Sequence, residues 1–484
     1  MYKNNNSKII AQNTKSKYSE LASNTMLFVF SSLLSKAIMF FLLPLYTNVL
    51  TTEEYGIIEL IMTGTNLLTP IFTLSFSDAI IRFGLDNSIP KNRVLKVSTI
   101  YIFFVSIIMI LCTPAIKLYK PIADYAWLFT ITMVTLMYRS TITLYLKVIN
   151  NNLLFAIDTI IYTLILAALN IILLLFFNMR LEGYLYSIII SSVLSFIYCA
   201  IGGRIFRRII YCRFDPTLLK QMLIYSVPMI FNAISWWITN SSDKYMLEYF
   251  CTSSDVGLYS AAAKIPALLS MFSSLFSQAW TLSSVKEYDS TADRMFFSNT
   301  FRIYSCSMII GSSVILFIIK PFINVYIGKS FSSSWIYVPV LLISALFGGF
   351  SSFFGSIYVA TKRNVSCTIS TIICAITNII LNAILIPRFG IMGAAIATAV
   401  AYAVVAIYRI IDCQRTFYFH ISYMKHTFAL LIVIIEAILV IISDLRYIAS
   451  IIVIMVLIFV YLNEFRDAIK YGKKAMVMFL KNKK

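Results

Sequence analysis

The sequence predicts an all-α, polytopic membrane protein of about fourteen transmembrane helices, built as two six-helix lobes related by internal duplication plus two C-terminal helices. Three observations predict this. Apolar residues make up 60% of the chain and charged residues 13%, with a mean hydropathy of +0.84. A soluble domain carries about 45–50% and about 25% respectively, so this chain has too little polar surface to face water. The apolar runs are continuous and close to the roughly 20 residues a helix needs to cross the hydrocarbon core, not alternating with period two as in a barrel. Finally, unusual polar residues recur at constant offsets, as duplicated halves require.

In chain order, residues 1–24 form a polar, Lys- and Asn-rich tail followed by a full-length apolar run, which is not the pattern of a cleavable signal. The N-lobe is expected over 25–203, with spans near 25–47, 57–77, 96–116, 122–144, 153–177 and 183–203. A basic linker, 204–221, leads to the C-lobe over 222–411, with spans near 222–243, 256–282, 300–325, 335–358, 365–386 and 391–411. Two more spans occupy 427–463, and residues 464–484 form a basic tail. Sorting the 40 Lys and Arg residues with the N-terminus inside leaves 29 in cytoplasmic segments, eight outside and three within spans. That asymmetry places both termini in the cytoplasm. The net charge of +19 is then a topology signal and an attraction to anionic lipid headgroups, and no soluble basic domain exists to bind nucleic acid. Eight cysteines, without a CxxC and mostly in apolar runs, argue against a disulfide framework or a zinc site.

The duplication is read from two places. The stretch LTTEEYGIIEL from Leu50 is echoed by CTSSDVGLYSAA from Cys251, with Glu54 and Asp255, and Gly56 and Gly257, all 201 apart. Both stretches contain Ser/Thr-x-x-acid, which caps a helix start, and each glycine permits close packing. Later, ALNIILLLFFNMRLEGYLYSII from Ala168 resembles ITNIILNAILIPRFGIMGAAIAT from Ile376. Asn170 and Asn378, and Arg180 and Arg388, are 208 apart, and two inserted residues precede Gly393, which answers Gly183. Parallel halves of this kind are common in membrane carriers, whose substrate sites lie between them.

Charged groups inside spans are costly and are candidates for function. Lys36 sits deep in the first span, about 16 Å from its inner end at ~1.5 Å per residue. Lys264 lies in the eighth span just before Pro266 and Arg139 in the fourth; each has a plainer reading as a residue satisfied by neighbouring helices or snorkelling to an interface. In the seventh span Asn232, Trp236, Asn240 and Asp243 recur at three- and four-residue steps on one helix face, suited to sugar contact or to hydrogen bonding between helices. Asp158 and Asp78 are the candidates for ion coupling, by H+ or Na+; the simplest role for Asp78 is an i, i+4 pair with Arg82. Glu436 reads as an acid satisfied by a neighbour, and His420 and His426 as solvated residues of one cytoplasmic loop. No P-loop, HExxH or nucleophile elbow is present, so the reading is a non-enzyme without cofactor or bound metal.

The runs LLSKAIMFFLLPLYTNVLTTEEYGIIEL, YSVPMIFNAISWWITNSSDKYMLEYFCTSSDVGLYSAAAKI and NIILNAILIPRFGIMGAAIATAVAYAV resemble bacterial polysaccharide flippases. These are the O-antigen and capsule repeat-unit exporters of the multidrug/oligosaccharidyl-lipid/polysaccharide (MOP) exporter superfamily. The resemblance implies two six-helix lobes around a cavity, and alternating access that moves undecaprenyl-pyrophosphate-linked oligosaccharide from the inner to the outer leaflet. It also implies lipid-linked oligosaccharide and membrane lipids as partners, with the polymerase and chain-length regulator of the same lipopolysaccharide or capsule pathway. Related peptidoglycan-precursor (lipid II) flippases have fourteen spans, the last two forming a lipid-facing groove. On this reading Lys36 and Lys264 contact the pyrophosphate, and Asn232, Trp236 and Asn240 contact sugar. Two alternatives stay open: a multidrug exporter of the same superfamily, which favours acidic cavity groups, and a membrane polymerase or glycosyltransferase, which needs an acidic metal motif or a large outer loop.

Overall fold

The structure, a computed structural model, describes residues 31, 33–290, 292–443, 446–462 and 464. The tail expected over 1–24, and the part of the basic tail after Glu464, lie outside the described residues. Among the described residues the regular elements are all helical, and the protein is a multi-pass membrane protein. Among the described residues seven helices are long and apolar enough to cross a membrane, or ten if each of three bent pairs is one span. The fourteen spans expected do not appear as fourteen separate helices among the described residues, partly because Asn364–Thr416 continues for 53 residues through a kink at Gly390.

The chain separates into two compact units, Met1–Leu50 with Ile57–Trp237, and Thr51–Gly56 with Ile238–Lys484. The first draws on α1 (Leu33–Val49), α2 (Thr52–Phe72), α3 (Phe76–Gly84), α4 (Lys91–Leu111), α5 (Ala126–Val148), α6 (Asn152–Phe176), α7 (Arg180–Gly202), α8 (Pro216–Ser226) and the start of α9 (Met229–Phe250). Its core packs Phe76, Ala79 and Ile80 of α3 against Val94, Tyr145, Leu146, Cys199, Leu218 and Met222. Two spans in it are broken. Pro70 removes a helical hydrogen-bond donor, Leu74 and Ser75 follow at φ 50° and 52°, and α3 leaves α2 at 60°. Pro228 breaks the second pair, so that α9 leaves α8 at 42°.

The second unit contains α10 (Ser253–Ala263), α11 (Pro266–Ser290), α12 (Arg294–Tyr326), α13 (Val338–Ala360), α14 (Asn364–Thr416), α15 (Tyr423–Ile442) and α16 (Arg446–Val460). It also holds the first turn of α2, and here the opening of each repeat is visible in detail. Thr51 N–H donates to Glu54 Oε2 at 2.9 Å while Glu54 N–H donates to Thr51 Oγ1 at 3.1 Å, a closed capping box. Its counterpart has Asp255 N–H on Thr252 Oγ1 at 3.3 Å and Thr252 Oγ1 donating to Asp255 Oδ2 at 2.7 Å. The two caps pack on each other. A Cβ on Gly56 would lie 1.8 Å from the Ser253 carbonyl oxygen, and one on Gly257 would lie 2.0 Å from that of Thr52. Glycine is required at both points because main chain meets main chain. The later part of the repeat also agrees: Asn170 and Asn378 are both buried, and left-handed residues break the chain at Arg180 (φ 43°) and Gly390 (φ 54°), 210 apart like Gly183 and Gly393.

The C-terminal helices correct one reading. His426 is buried, with Nδ1 3.0 Å from the Tyr461 hydroxyl and 3.4 Å from Ser305 Oγ, because its position on α15 faces α12 and the segment after α16 rather than water. His420 is exposed, as expected. Glu436 is fully buried and accepts from Ser313 Oγ at 2.6 Å, a neighbour of the kind expected.

Candidate functional site

Two clusters of buried polar and charged groups, one in each unit, include residues singled out from the sequence. In the first unit, Arg139 of α5 donates through Nε to Ser195 Oγ at 2.7 Å and through its NH2 to Asp158 Oδ2 at 3.1 Å. Ser195 Oγ closes the triangle on Asp158 Oδ1 at 2.6 Å, and the Tyr162 ring lies 3.6 Å beneath the guanidinium. Three helices thus share one neutralised ion pair. Low dielectric strengthens such a pair, and the extra hydrogen bonds offset the desolvation of its charges. Both side chains direct their polar atoms at each other, a geometry suited to holding α5, α6 and α7 together.

The second cluster centres on Asp243 of α9, which is buried. Its Oδ2 accepts from the Tyr259 hydroxyl of α10 and from Thr398 Oγ1 of α14 at 3.0 Å. Asn378 Nδ2 donates to Thr398 Oγ1 at 3.3 Å, while Asn378 Oδ1 accepts from Ser242 Oγ at 3.2 Å and from Asn382 Nδ2 at 3.0 Å. Two oxygens remain without a hydrogen-bond partner among the described residues: Asp243 Oδ1 and Asn382 Oδ1. A buried carboxylate oxygen left over in this way is expensive; Glu436 Oε1 and Glu464 Oε2 are in the same condition. Carboxylate, amide and hydroxyl oxygens are hard donors suited to a small cation or a proton. Among the described residues no three acidic, His or Cys side chains converge.

The repeat allows a position-by-position comparison here. At the matching offsets the first half has Leu42 for Asp243, Ile58 for Tyr259, Leu174 for Asn382 and Ile188 for Thr398, all buried. Hydrocarbon packs four of these positions in the first half, while Asn378 keeps a buried polar counterpart in Asn170. Of these residues sequence reading singled out only Asp243 as a site candidate and noted Asn378 as a repeat marker. A position-by-position comparison of the halves carries the signal for Tyr259, Asn382 and Thr398.

The other candidates are distributed as follows. Asn232, Trp236 and Asn240 are exposed along one side of α9, with Asn240 Oδ1 accepting from the Tyr402 hydroxyl at 2.9 Å. Lys36 is exposed on α1, where its neighbour Ser35 hydrogen-bonds to Thr159 and Thr163 of α6. Lys264 is half-buried at the C-cap of α10. Asp78 and Arg82 do not form an ion pair with each other; both line a crevice of about 320 Å³ with Ile81, Leu85, Tyr225 and Met229.

Comparison with known proteins accords with this architecture. The polysaccharide biosynthesis protein family profile matches residues 21–282. A probable low-salt glycan biosynthesis flippase, Agl15, of Haloferax volcanii is 26% identical over 190 residues, which are 38% of this chain and 40% of the relative. A capsular polysaccharide biosynthesis protein, CapF, of Staphylococcus aureus is 24% identical over 197 residues, covering 39% of this chain and 48% of the relative. The matched segments thus span less than half the length of either curated relative. In fold, the structure is similar to the lipid II flippase MurJ in an inward closed conformation, with a TM-score of 0.69 at 15% identity over 92% of this chain and all of that one. With more than half of its length matched, this chain belongs to the polysaccharide biosynthesis protein family.

Proposed function

We propose that the protein is a flippase moving undecaprenyl-pyrophosphate-linked oligosaccharide repeat units from the inner to the outer leaflet of the cytoplasmic membrane, by alternating access, for O-antigen or capsule biosynthesis. Family membership is the observation that carries this reading, and relatives named as a flippase and a capsule biosynthesis protein support it. Both termini then face the cytoplasm, and the polymerase and chain-length regulator of the pathway act on the exported unit. The two lobes correspond to residues 25–203 and 222–411 and are joined by 204–221. Lys36 and Lys264 are assigned to the anionic pyrophosphate, and Asn232, Trp236 and Asn240 to sugar. Coupling is assigned to Na+ or H+ at Asp243, supported by its unpartnered carboxylate oxygen. Asp158 is a weaker coupling candidate, since Arg139 and Ser195 occupy both of its oxygens.

A peptidoglycan-precursor (lipid II) flippase is the second reading, supported by the shared fold. Deleting the gene in its host separates the possibilities. Lipid-linked repeat units stranded on the inner leaflet, with loss of surface polysaccharide, are expected. Units that reach the outer face but stay unpolymerised would point to a polymerase instead, and stranded lipid II would favour the second reading.

A further inference from the structure

The Asp78–Arg82 crevice of the first unit has a use that neither helix packing nor ion pairing explains. Asp78, Ile81, Arg82 and Leu85 follow one another at i, i+3, i+4 and i+7, so all four project from one side of α3 and its C-cap. The opposite side of the helix, Phe76, Ala79 and Ile80, is the side buried in the core. Two charged groups on the outward side would be costly against lipid, so this side faces a polar medium. An acid and a base one turn apart would ordinarily pair; here, among the described residues, no ion pair joins them, and both line the crevice instead. Asp86, one further turn on, accepts from Ser88 through N–H at 2.9 Å and Oγ at 2.6 Å and feels the Arg82 charge, but among the described residues no ion pair within contact distance joins it to the Arg82 fork.

The facing wall is Tyr225 and Met229, which flank the α8–α9 break. The Tyr225 ring is held edge-on by Phe83 at a centroid distance of 5.9 Å. The crevice therefore lies where two broken spans, bent by 60° and 42°, come together within one unit. Interrupted helices are where secondary transporters bind cargo. At about 320 Å³ the space is at the small end of ligand sites, which run roughly 300–1,000 Å³, enough for one part of a larger ligand.

We infer that this crevice is a binding subsite for a sugar phosphate: Arg82 takes the phosphoryl oxygens through its planar fork, Asp78 accepts from sugar hydroxyls, and the Tyr225 ring covers a sugar face. Ile81, Leu85 and Met229 supply the apolar flank that a hydrocarbon chain attached to the phosphate would lie on. The same chemistry is offered by a lipid-linked saccharide or by a soluble glycosyl phosphate. Only the first source rests on the proposed flippase function.

The test is calorimetric titration of the full chain in nanodiscs of phosphatidylethanolamine and phosphatidylglycerol. The three probes are farnesyl-pyrophosphoryl-N-acetylglucosamine, farnesyl pyrophosphate and N-acetylglucosamine-1-phosphate. Arg82→Gln is expected to weaken the lipid-linked sugar by at least about tenfold, as loss of a bidentate charged contact does. Asp78→Asn and Tyr225→Leu should weaken the two sugar-bearing probes several-fold and leave farnesyl pyrophosphate unchanged. Arg82→Lys, which keeps the charge without the fork, should fall between wild type and Arg82→Gln, and it replaces that variant if Arg82→Gln does not fold. Binding of N-acetylglucosamine-1-phosphate alone, still dependent on Arg82, would retain the subsite and sink the flippase reading. Equal affinity of wild type and Arg82→Gln for the lipid-linked sugar would overturn the subsite and leave the flippase reading standing. Failure of the wild type to bind any probe would also overturn the subsite.

Discussion

Adding one methyl group at Gly257 tests the helix crossing that opens the two repeats. The new Cβ would lie 2.0 Å from the Thr52 carbonyl oxygen, where ordinary contact begins at 3.4 Å, so the backbones must part by about 1.4 Å. The obstructing atom is main chain, and no rotamer change relieves it. Overpacking of this kind costs about 1–3 kcal/mol. Gly56→Ala is the mirror experiment, with a gap of about 1.6 Å to open against Ser253. Because one parting of the same two backbones accommodates both methyl groups, the double variant should cost less than the sum by about 0.5–3 kcal/mol. Gly390→Ala is the control: nothing lies within 4 Å of its added Cβ, so only the backbone penalty of a side chain at φ 54° and ψ −131°, about 1–3 kcal/mol, applies, and it should add independently to either variant. The assay is equilibrium unfolding of the purified protein in mixed micelles, followed by tryptophan fluorescence. A Gly257→Ala variant as stable as wild type, or a strictly additive Gly56/Gly257 pair, would refute the crossing.

Three further outcomes are expected. Asp243→Asn, nearly isosteric but uncharged, should abolish the Na+ or H+ dependence of transport in proteoliposomes while the protein still folds; unchanged ion dependence would remove Asp243 as the coupling site. Arg139→Ala leaves Asp158 buried without its cation and should destabilise by about 3–5 kcal/mol, whereas Arg139→Ala with Asp158→Ala should recover part of that loss; a double variant worse than the single would show that the pair does not act as a unit. Lys36→Gln should reduce polysaccharide export in cells at least about tenfold if a charge-assisted contact to the pyrophosphate is lost, and full export would clear Lys36 of that role.

The membrane class, the helical content and the duplication were legible because each is a one-dimensional property. Hydropathy sums along the chain, capping boxes are local in sequence, and an offset of 201 or 210 needs no coordinates to detect. The caps at Thr51 and Thr252 formed as their spacing dictates, since the atoms they join are three residues apart. Partner choice was not local. Asp78 and Arg82 are an ideal i, i+4 pair on paper, yet the break at Leu74–Ser75 turns α3 so that both open onto a crevice walled by α8 and α9. Asp158 is a candidate for ion coupling by sequence, but folding sets it against Arg139, 19 residues away, and Ser195, 37 away. His426 was read as solvated until α12 and Tyr461 enclosed it. By itself the sequence determined what solvent the chain lives in and that it was built twice. Only the tertiary structure decided which of its charges are neutralised in place and which are left with oxygens to spare. A buried ion's partners come from helices far apart in sequence, and in a lipid-facing bundle the cost of leaving such a group unmatched depends on who arrives beside it.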